Sequence, residues 1–581
     1  MISGENTEQK YNDQLSPFLR RENIIFRKFR DFIPVMLITN ISNMLLVTAN
    51  GLVAGNFIGS DGFACVSLVE PVEALINTAA TLAACSISTS LSKAMGSGDK
   101  KEFELTREAA LKLIPAIALI SVLVELPVAW LLISSYHLNP AMYDMTWTYA
   151  LIRILSSPIE IFVTVCVYDL QIAGEMKAVM RHAILQGTSN LLFDLLFVAI
   201  LHMGISGTGY GTACALLLRA IVAQRYITKH TDLFKRSNLR ISMSDYREIL
   251  NYGIADAAYE FMVAVQNYFM IRILLLAFGA DGGVISGVCS FCLALAAVLI
   301  RSVLNSARPM VGLLVGADDR RELAGLMRYA ITIDLIYAGI IVLLAELFPA
   351  SFFHLYGIVD IPDGGILSLR IYAPFILIYA LNTILRMYLS YRNYSLHATA
   401  STIGGYAFLP VFSYIFVRWL GPPFLWLGYS ASELRTLLFY LISFHSLKKN
   451  IFEKEAPDHS LYLSFDPERA ASASEAVMDF LTESGTDPRL SYRVGLCMEE
   501  IGAYAQNAGR RNQTVELYFR IKLISEQEAL LFVLDDGKCI YFDQEEDDSG
   551  LTISNYNLIR KIARSAEYQY VLNLNYMKIS L

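Results

Sequence analysis

The sequence predicts an α-helical polytopic membrane protein: twelve transmembrane helices in two parallel six-helix repeats, plus a C-terminal α/β-sandwich domain. Three observations predict it. The 581 residues are 55% hydrophobic and only 17% charged, with a mean hydropathy of +0.44, whereas an average soluble chain is about one-quarter charged. Two loop sequences recur at a fixed offset of 220 residues. The net charge of −7 is also unevenly placed, +2 over residues 1–450 and −9 over residues 451–581. This composition excludes a single soluble globular domain and equally a disordered, collagenous or disulfide-rich secreted chain. About twelve spans of roughly 20–25 residues leave room for loops and one further domain.

Apolar runs predict spans over residues 33–56, 63–91, 108–135, 142–172, 182–203, 207–228, 246–278, 284–312, 325–352, 365–391, 397–419 and 424–446. Internal prolines at Pro71, Pro127, Pro158 and Pro374 are tolerable where neighbouring helices re-satisfy the freed carbonyls. The connections alternate in charge. One set carries Lys100, Lys101 and Arg107, then Lys177 and Arg181, Lys235, Arg236 and Arg240, Arg320, Arg321 and Arg328, and Arg392; the other set carries no Lys or Arg. The positive-inside rule places the first set, and both termini, in the cytoplasm of a plasma (inner) membrane protein. The domains expected are a basic flank over 1–30, a first lobe over 31–228, a linker over 229–245, a second lobe over 246–447, a linker over 448–460 and a cytosolic domain over 461–581. The first 30 residues are too polar for a secretory signal. Cys289 and Cys292 have CxxC spacing inside a span, where packing is the expected role, and no metal site is indicated.

The repeat aligns without a gap. Gly59-Ser60-Asp61-Gly62 falls on Gly279-Ala280-Asp281-Gly282, and Gly96-Ser97-Gly98-Asp99-Lys100-Lys101-Glu102 on Gly316-Ala317-Asp318-Asp319-Arg320-Arg321-Glu322. Six spans separate the copies, so both halves share one orientation and are related by an axis along the membrane normal. Alternating access requires such an arrangement, whereas an ungated pore does not.

These residues resemble the multidrug and toxic compound extrusion (MATE) family over about residues 30–447. Asn50-Gly-Leu-Val-Ala-Gly55 resembles its first-helix pattern, Gly96-Ser-Gly-Asp99 its Gly-rich turn, and Asn190-Leu-Leu-Phe-Asp194 with Gly204, Gly207 and Gly211 its fifth-to-sixth-helix signature. The resemblance implies two six-helix lobes and export coupled to inward Na⁺ or H⁺ flow. Many members have aspartate where this chain has Asn50, which does not titrate in this range. Coupling is therefore expected to rest on Asp194, with Asn190 one turn away on the same face. A hydrogen-bonded clamp between helices is the alternative reading of this pair.

An ionised aspartate inside a bilayer costs about 2.5–3.5 kcal/mol on insertion scales, so each such residue needs a reason. In the second half Asp256, Glu260 and Arg301 are expected to line a cleft. Matching depth suggests an Asp256–Arg301 pair that leaves Glu260 for a cationic substrate or ion; a buried structural network is the other reading. Arg153 and Glu160 share a face and read as structural, and Glu70 and Glu73 flank Pro71 toward the cleft. The 12% aromatic content suits flat organic cations and interfacial belts equally well.

The acidic tail predicts strands over 461–465, 515–524 and 529–534, helices over 468–484, 489–508 and 553–564, and a closing hairpin from 568 to 581: a mixed sheet covered by helices. Glu499-Glu500-Ile-Gly-Ala-Tyr504 and Leu534-Asp535-Asp536-Gly537 resemble the histidine-kinase-like ATPase fold, nearest the anti-sigma-factor kinases. The resemblance makes Glu500, Asp535 and Gly537 nucleotide-site positions. Tyr504 stands where that family holds Mg²⁺ with asparagine, and Ser554–Asn557 lacks the lid glycines, so a degenerate regulatory domain is expected. It would bind nucleotide without Mg²⁺ or bind a cytosolic regulatory protein. The acidic charge disfavours nucleic acid.

The function expected is ion-coupled export of small cationic or amphipathic organic compounds across the lipid bilayer, without enzymatic chemistry. The alternatives are a lipid-linked sugar flippase, which several arginines in the cleft would favour, and a membrane-tethered signalling protein acting through its tail.

Overall fold

The computed structural model describes residues 24–97, 99–136, 138–231, 239–278, 281–355, 360–392, 394–452, 460–507, 515–537 and 558–581. The first half holds α1 (Ile24–Phe57), α2 (Ser60–Ser97), α3 (Lys100–Ser135), α4 (Pro140–Ile172), α5 (Met176–Asp194, continued by a π-helical turn, Leu195–Ile200) and α6 (Ile205–His230). The second half holds α7 (Met243–Phe278), α8 (Asp281–Gly316), α9 (Arg320–Leu347), a short α10 (Pro349–Leu355), α11 (Gly365–Tyr372), α12 (Phe375–Tyr391), α13 (Ser395–Leu420) and α14 (Leu427–Phe452). Among the described residues ten helical segments are long and apolar enough to cross a membrane; α1 and α14 fall outside that set.

The helices outrun the apolar spans at the end of the bundle where the basic loops lie. There α2 continues to Ser97, α3 starts at Lys100, α8 reaches Gly316 and α9 starts at Arg320. Lys, Arg, Glu and Ala are good helix formers whatever their hydropathy, so the helix continues after the apolar run ends. The expected ninth span also divides: α9 stops at Leu347 and Pro349 opens α10, since proline is favourable only in a helix's first turn. Pro374 likewise separates α11 from α12 rather than lying within one helix.

The repeated loop is a helix start. Asp99 Oδ1 accepts from the backbone N–H of Lys101 and Glu102 (2.9 and 3.0 Å), and Asp319 Oδ1 accepts from Glu322 N–H (3.1 Å). Each aspartate satisfies donors that the first helical turn leaves orphaned. Asp318 adopts a left-handed backbone (φ 51°) where the first copy has Gly98.

The halves meet along a seam of small residues. A Cβ on Gly96 would strike the Leu313 carbonyl and lie 2.9 Å from Gly316 Cα; one on Gly316 would strike the Lys93 carbonyl. Gly96 and Gly316 are repeat equivalents, so this contact lies on the axis relating the halves. Gly312 packs on Ser92, its own repeat equivalent, and Gly253 on the Leu82–Ser86 turn. Asn40 Nδ2 donates to Ser302 Oγ (3.0 Å) across the same seam. Among the described residues, the bundle is therefore sealed at its basic-loop end.

The C-terminal domain has β1 (Ser460–Phe465), α15 (Ala470–Glu483), α16 (Pro488–Asn507), β2 (Leu517–Ser525), β3 (Glu528–Asp535), β4 (Ser565–Val571) and β5 (Leu574–Ser580). The sheet order is β1-β2-β3-β5-β4, and every neighbouring pair is antiparallel. The expected mixed sheet is thus corrected. The closing hairpin turns at Leu572-Asn573, both with positive φ (57° and 56°). That geometry matches the right-handed strand twist. Of the helix expected over 553–564, the described part covers 558–562. Side chains alternate across the sheet. Leu463, Phe465, Phe519, Ile521, Val533 and Met577 pack on α15 and α16, while Tyr462, Tyr518, Phe532, Leu534 and Tyr576 join the core at the sealed end of the bundle.

Replacing Gly96 with leucine forces α2 and α8 apart. We expect a loss of about 1–3 kcal/mol, read as a lower thermal midpoint in detergent, whereas Gly339→Leu, where nothing lies within 4 Å of the added carbon, has little effect.

Candidate functional site

A cavity of about 400 Å³ opens between the halves. Its lining is polar. Asn40, Asn43, Asn77, Asn305, Gln171 and Gln186 face it, with four arginines (Arg219, Arg301, Arg308, Arg386) and three carboxylates (Glu160, Asp256, Glu260). Both halves contribute: α1, α2, α4, α5 and α6 from the first, α7, α8 and α12 from the second.

All three second-half residues singled out from the sequence line this cavity, but their pairing differs from the expected one. Asp256 is held by Arg308, whose Nη2 and Nη1 donate to Oδ1 and Oδ2 at 3.0 and 3.2 Å, and by Arg386 Nε at 3.6 Å. Arg301 instead faces Glu260 at 3.9 Å. Both helices outrun their apolar spans by nearly the same amount, α7 starting at Met243 and α8 ending at Gly316, so depth alone does not decide the pairing. The correction comes from Arg308 and Arg386, two cations without a motif that the packing of α8 and α12 brings onto Asp256. Asp256, Arg308 and Arg386 are all buried, and the Arg386 guanidinium also stacks on the Tyr259 ring at 4.0 Å. Two buried cations around one carboxylate leave the cluster net positive.

In the first half Asn190 Nδ2 donates to Asp194 Oδ2 (2.9 Å), one turn apart on α5. Asp194 is fully buried, and its Oδ1 has no hydrogen-bond partner. Gly211 of α6 closes over that oxygen, leaving no room for a Cβ. Thr208, one turn before Gly211, also buries a hydroxyl without a hydrogen-bond partner. The π-helical turn begins immediately after Asp194, with Leu201 N–H reaching the Leu196 carbonyl at 2.9 Å; such turns recur at functional sites. Asp194 does not line the central cavity, but Gln186, two turns earlier on α5, does. Asn50 lies within α1, and its side chain falls outside the described residues.

Arg153 reaches both Glu73 (Nη2 to Oε2, 2.7 Å) and Glu160 (2.9 Å). The expected Arg153–Glu160 association is present, and Glu73 belongs to it. Sequence reading passed over Arg219, Arg308, Arg386 and Glu433. Each was visible as a charge within an apolar run, yet none stood in a motif. Glu433 lines a smaller pocket with Asn382, whose Nδ2 donates to it at 2.6 Å.

In the C-terminal domain Asp535 ends β3, fully buried. Its Oδ1 accepts from Gly537 N–H (2.9 Å) and from Asn575 Nδ2 on the paired strand (2.6 Å); Oδ2 has no hydrogen-bond partner. Burial pushes its pKa up to about 7 against these hydrogen bonds. Glu500 lies on α16 and Tyr504 is buried one turn later. The lid positions Ser554–Asn557 lie outside the described residues. Among the described residues no group of three or more His, Cys, Asp or Glu forms a metal-binding cluster.

Residues 34–196 match the MatE family model. The chain also superposes on solved transporters. The first is a MOP superfamily transporter from Pyrococcus furiosus, at 19% identity and TM-score 0.68 over 74% of this chain and 96% of that one. Its binding pocket is described as reversed in polarity, suggesting a different function. A multidrug resistance MATE family transporter of the MOP superfamily, in an outward-facing conformation, matches at 19% and 0.66 over 73% and 96%. MATE in complex with MaD3S matches at 19% and 0.67 over the same shares. The fold is that of the MATE transporters. The protein is thus a multi-pass membrane protein with a MATE-like bundle and an added C-terminal sheet domain. No curated protein matches the chain in sequence.

Removing the Asp256 charge strands Arg308 and Arg386. We expect Asp256→Asn to cost about 3–5 kcal/mol and Asp256→Asn with Arg308→Met to cost less than the sum, measured by chemical denaturation of the purified protein. The Asp535 carboxyl works the other way. Its folded pKa lies above the unfolded value, so the folded state binds more protons and stability falls as pH rises from about 4 through 7. Hydrogen exchange of β3 amides is expected to quicken across that window, and Asp535→Asn to flatten the dependence.

Proposed function

We propose that the protein is an ion-coupled secondary exporter that works by alternating access, with its basic-loop end and both termini on the cytoplasmic side of the plasma (inner) membrane. One observation carries this reading: a polar cavity between repeat-related halves, closed at one end by a seam of glycines. All twelve long segments are taken as spans. Inward Na⁺ or H⁺ flow acts on Asp194, where a buried carboxylate oxygen and a Thr208 hydroxyl await a partner; Asn190 orients the carboxylate, and Asn50 is assigned to the same site. Asp256, Glu260 and Arg301 act on the substrate. The C-terminal domain regulates rather than catalyses. It is assigned to the histidine-kinase-like ATPase fold, with Glu500, Asp535 and Gly537 as a nucleotide or protein-partner site.

The lining modifies the substrate class. Apolar cations, expected from the resemblance, gain little from a cavity rich in amides and arginines. Solutes that carry a carboxylate or phosphate gain charge-assisted hydrogen bonds from Arg301 and Arg219. The same four arginines favour the second reading, a flippase for lipid-linked sugars, whose phosphate linkage needs such donors.

Flux in proteoliposomes under separately imposed Na⁺ and pH gradients tests the proposal. Uphill movement of an acidic solute driven by one gradient supports export, and its absence under both, with cationic dyes also static, overturns it. Asp194→Asn is expected to leave downhill movement while abolishing uphill movement, a loss of at least tenfold in the gradient sustained, corresponding to about 1.4 kcal/mol. A variant that still concentrates solute removes Asp194 from coupling.

A further inference from the structure

The C-terminal sheet grips both halves, and it does so at repeat-equivalent corners. Tyr576 Oη on β5 donates to the Gly96 carbonyl (2.6 Å) and Lys578 Nζ to that of Ser97, at the end of α2. Arg520 on β2 donates to the carbonyls of Ala317 and Asp318 (both 2.8 Å), just past the end of α8. At the 220-residue offset Ser97 and Ala317 are the same position. Each helix leaves its last carbonyls unsatisfied and partly negative, and in each half the sheet supplies the donors that cap them.

Further contacts distinguish the two sides. On the first half the β4–β5 hairpin inserts its backbone: Leu572 N–H donates to the Ile172 carbonyl (3.2 Å), and Asn573 Nδ2 to that of Gly174 (3.0 Å). Arg27 of α1 pairs with Glu516 (2.8 Å) and Asp536 (3.0 Å). On the second half the contacts are made by side chains. Lys522 meets Asp318 at 2.9 Å, Tyr518 donates to Asp319 at 3.0 Å, and Arg321 lies 4.9 Å above the Tyr462 ring.

We propose that this sheet is an intramolecular latch that holds the two halves together at the basic-loop end. A five-stranded hydrogen-bonded sheet does not stretch, so its two grips fix one separation between the corners. That separation is the closed one, in which Gly96 touches Gly316. Opening the cavity toward this end parts the glycines and requires the sheet to let go of one half. The sheet stays on the first half, where the hairpin backbone is inserted, and releases the second, which it holds through its own side chains. The latch presupposes the alternating access proposed above, but it is tested without any substrate.

Spin labels at Lys101→Cys on α3 and Ala324→Cys on α9, in a Cys539→Ser background, report the distance between the halves of the full chain in lipid nanodiscs. Both positions are exposed. Lys522→Glu turns a partly exposed attraction into a repulsion, and such a pair shifts a two-state balance by up to about fivefold. We expect the longer-distance population to rise by that factor in Lys522→Glu, and further when Tyr518→Phe is added. Amide-exchange protection of β3 verifies that the domain remains folded in each variant. An unchanged distance distribution in the folded double variant overturns the latch. So does a longer distance that already predominates in the parent chain. Loss of solute flux with the expected distance change would contradict export and leave the latch standing.

Discussion

Everything else in this molecule depends on how closely two backbones approach at Gly96 and Gly316. Lipid tails are as apolar as leucine, so helices in a bilayer associate through close packing and hydrogen bonds rather than by hiding apolar surface. Small residues allow that packing, and α2 and α8 place them at one seam: Gly96 on Gly316, Ser92 on Gly312. Because the contacting residues are repeat equivalents, the contact lies on the axis between the halves. At this contact the approach of the two helices is set by backbone against backbone.

The cavity behind that seam holds charges with a different energetic character. Asp256 between Arg308 and Arg386 is a buried cluster, costly to assemble and costlier to disrupt. Glu260 and Arg301 are 3.9 Å apart and partly exposed to the cavity. Asp194 represents a third case: it has one amide partner, one oxygen without a partner and a glycine pressed against it. A carboxylate so placed is held by a single amide and enclosed by the α6 backbone. These three environments distinguish three acids that composition alone would treat alike.

Much of this was legible in the sequence. The alternating Lys and Arg and the 220-residue offset led to two parallel halves, and the runs over 515–524 and 529–534 led to strands, observed at Leu517–Ser525 and Glu528–Asp535. What hydropathy could not give was the true length of the helices, because the charged first and last turns at the aqueous end are helical without being apolar. The Asp256 pairing was missed for a different reason. Arg308 and Arg386 bear no motif, and only the fold brings residues 256, 308 and 386 together. The sheet was expected to be mixed because strand order is a long-range property, which local alternation does not carry.

The tail's second face had a sequence signature that is clear once its position is known. Strands with one wet face alternate apolar and polar residues. Here the residues between the apolar ones are Tyr462, Tyr518, Arg520, Phe532 and Tyr576, large aromatics with a cation among them. Such residues gain little from facing water and much from an interface where a ring is buried and its hydroxyl finds a carbonyl. In a tail of net charge −9 over residues 451–581, the cations Arg520, Lys522 and Lys578 gather on that face, opposite helix ends whose last carbonyls are partly negative. Beside them Glu516 and Asp536 meet Arg27 of α1, so the interface matches charges of both signs, and that complementarity fixes how the domain sits on the bundle.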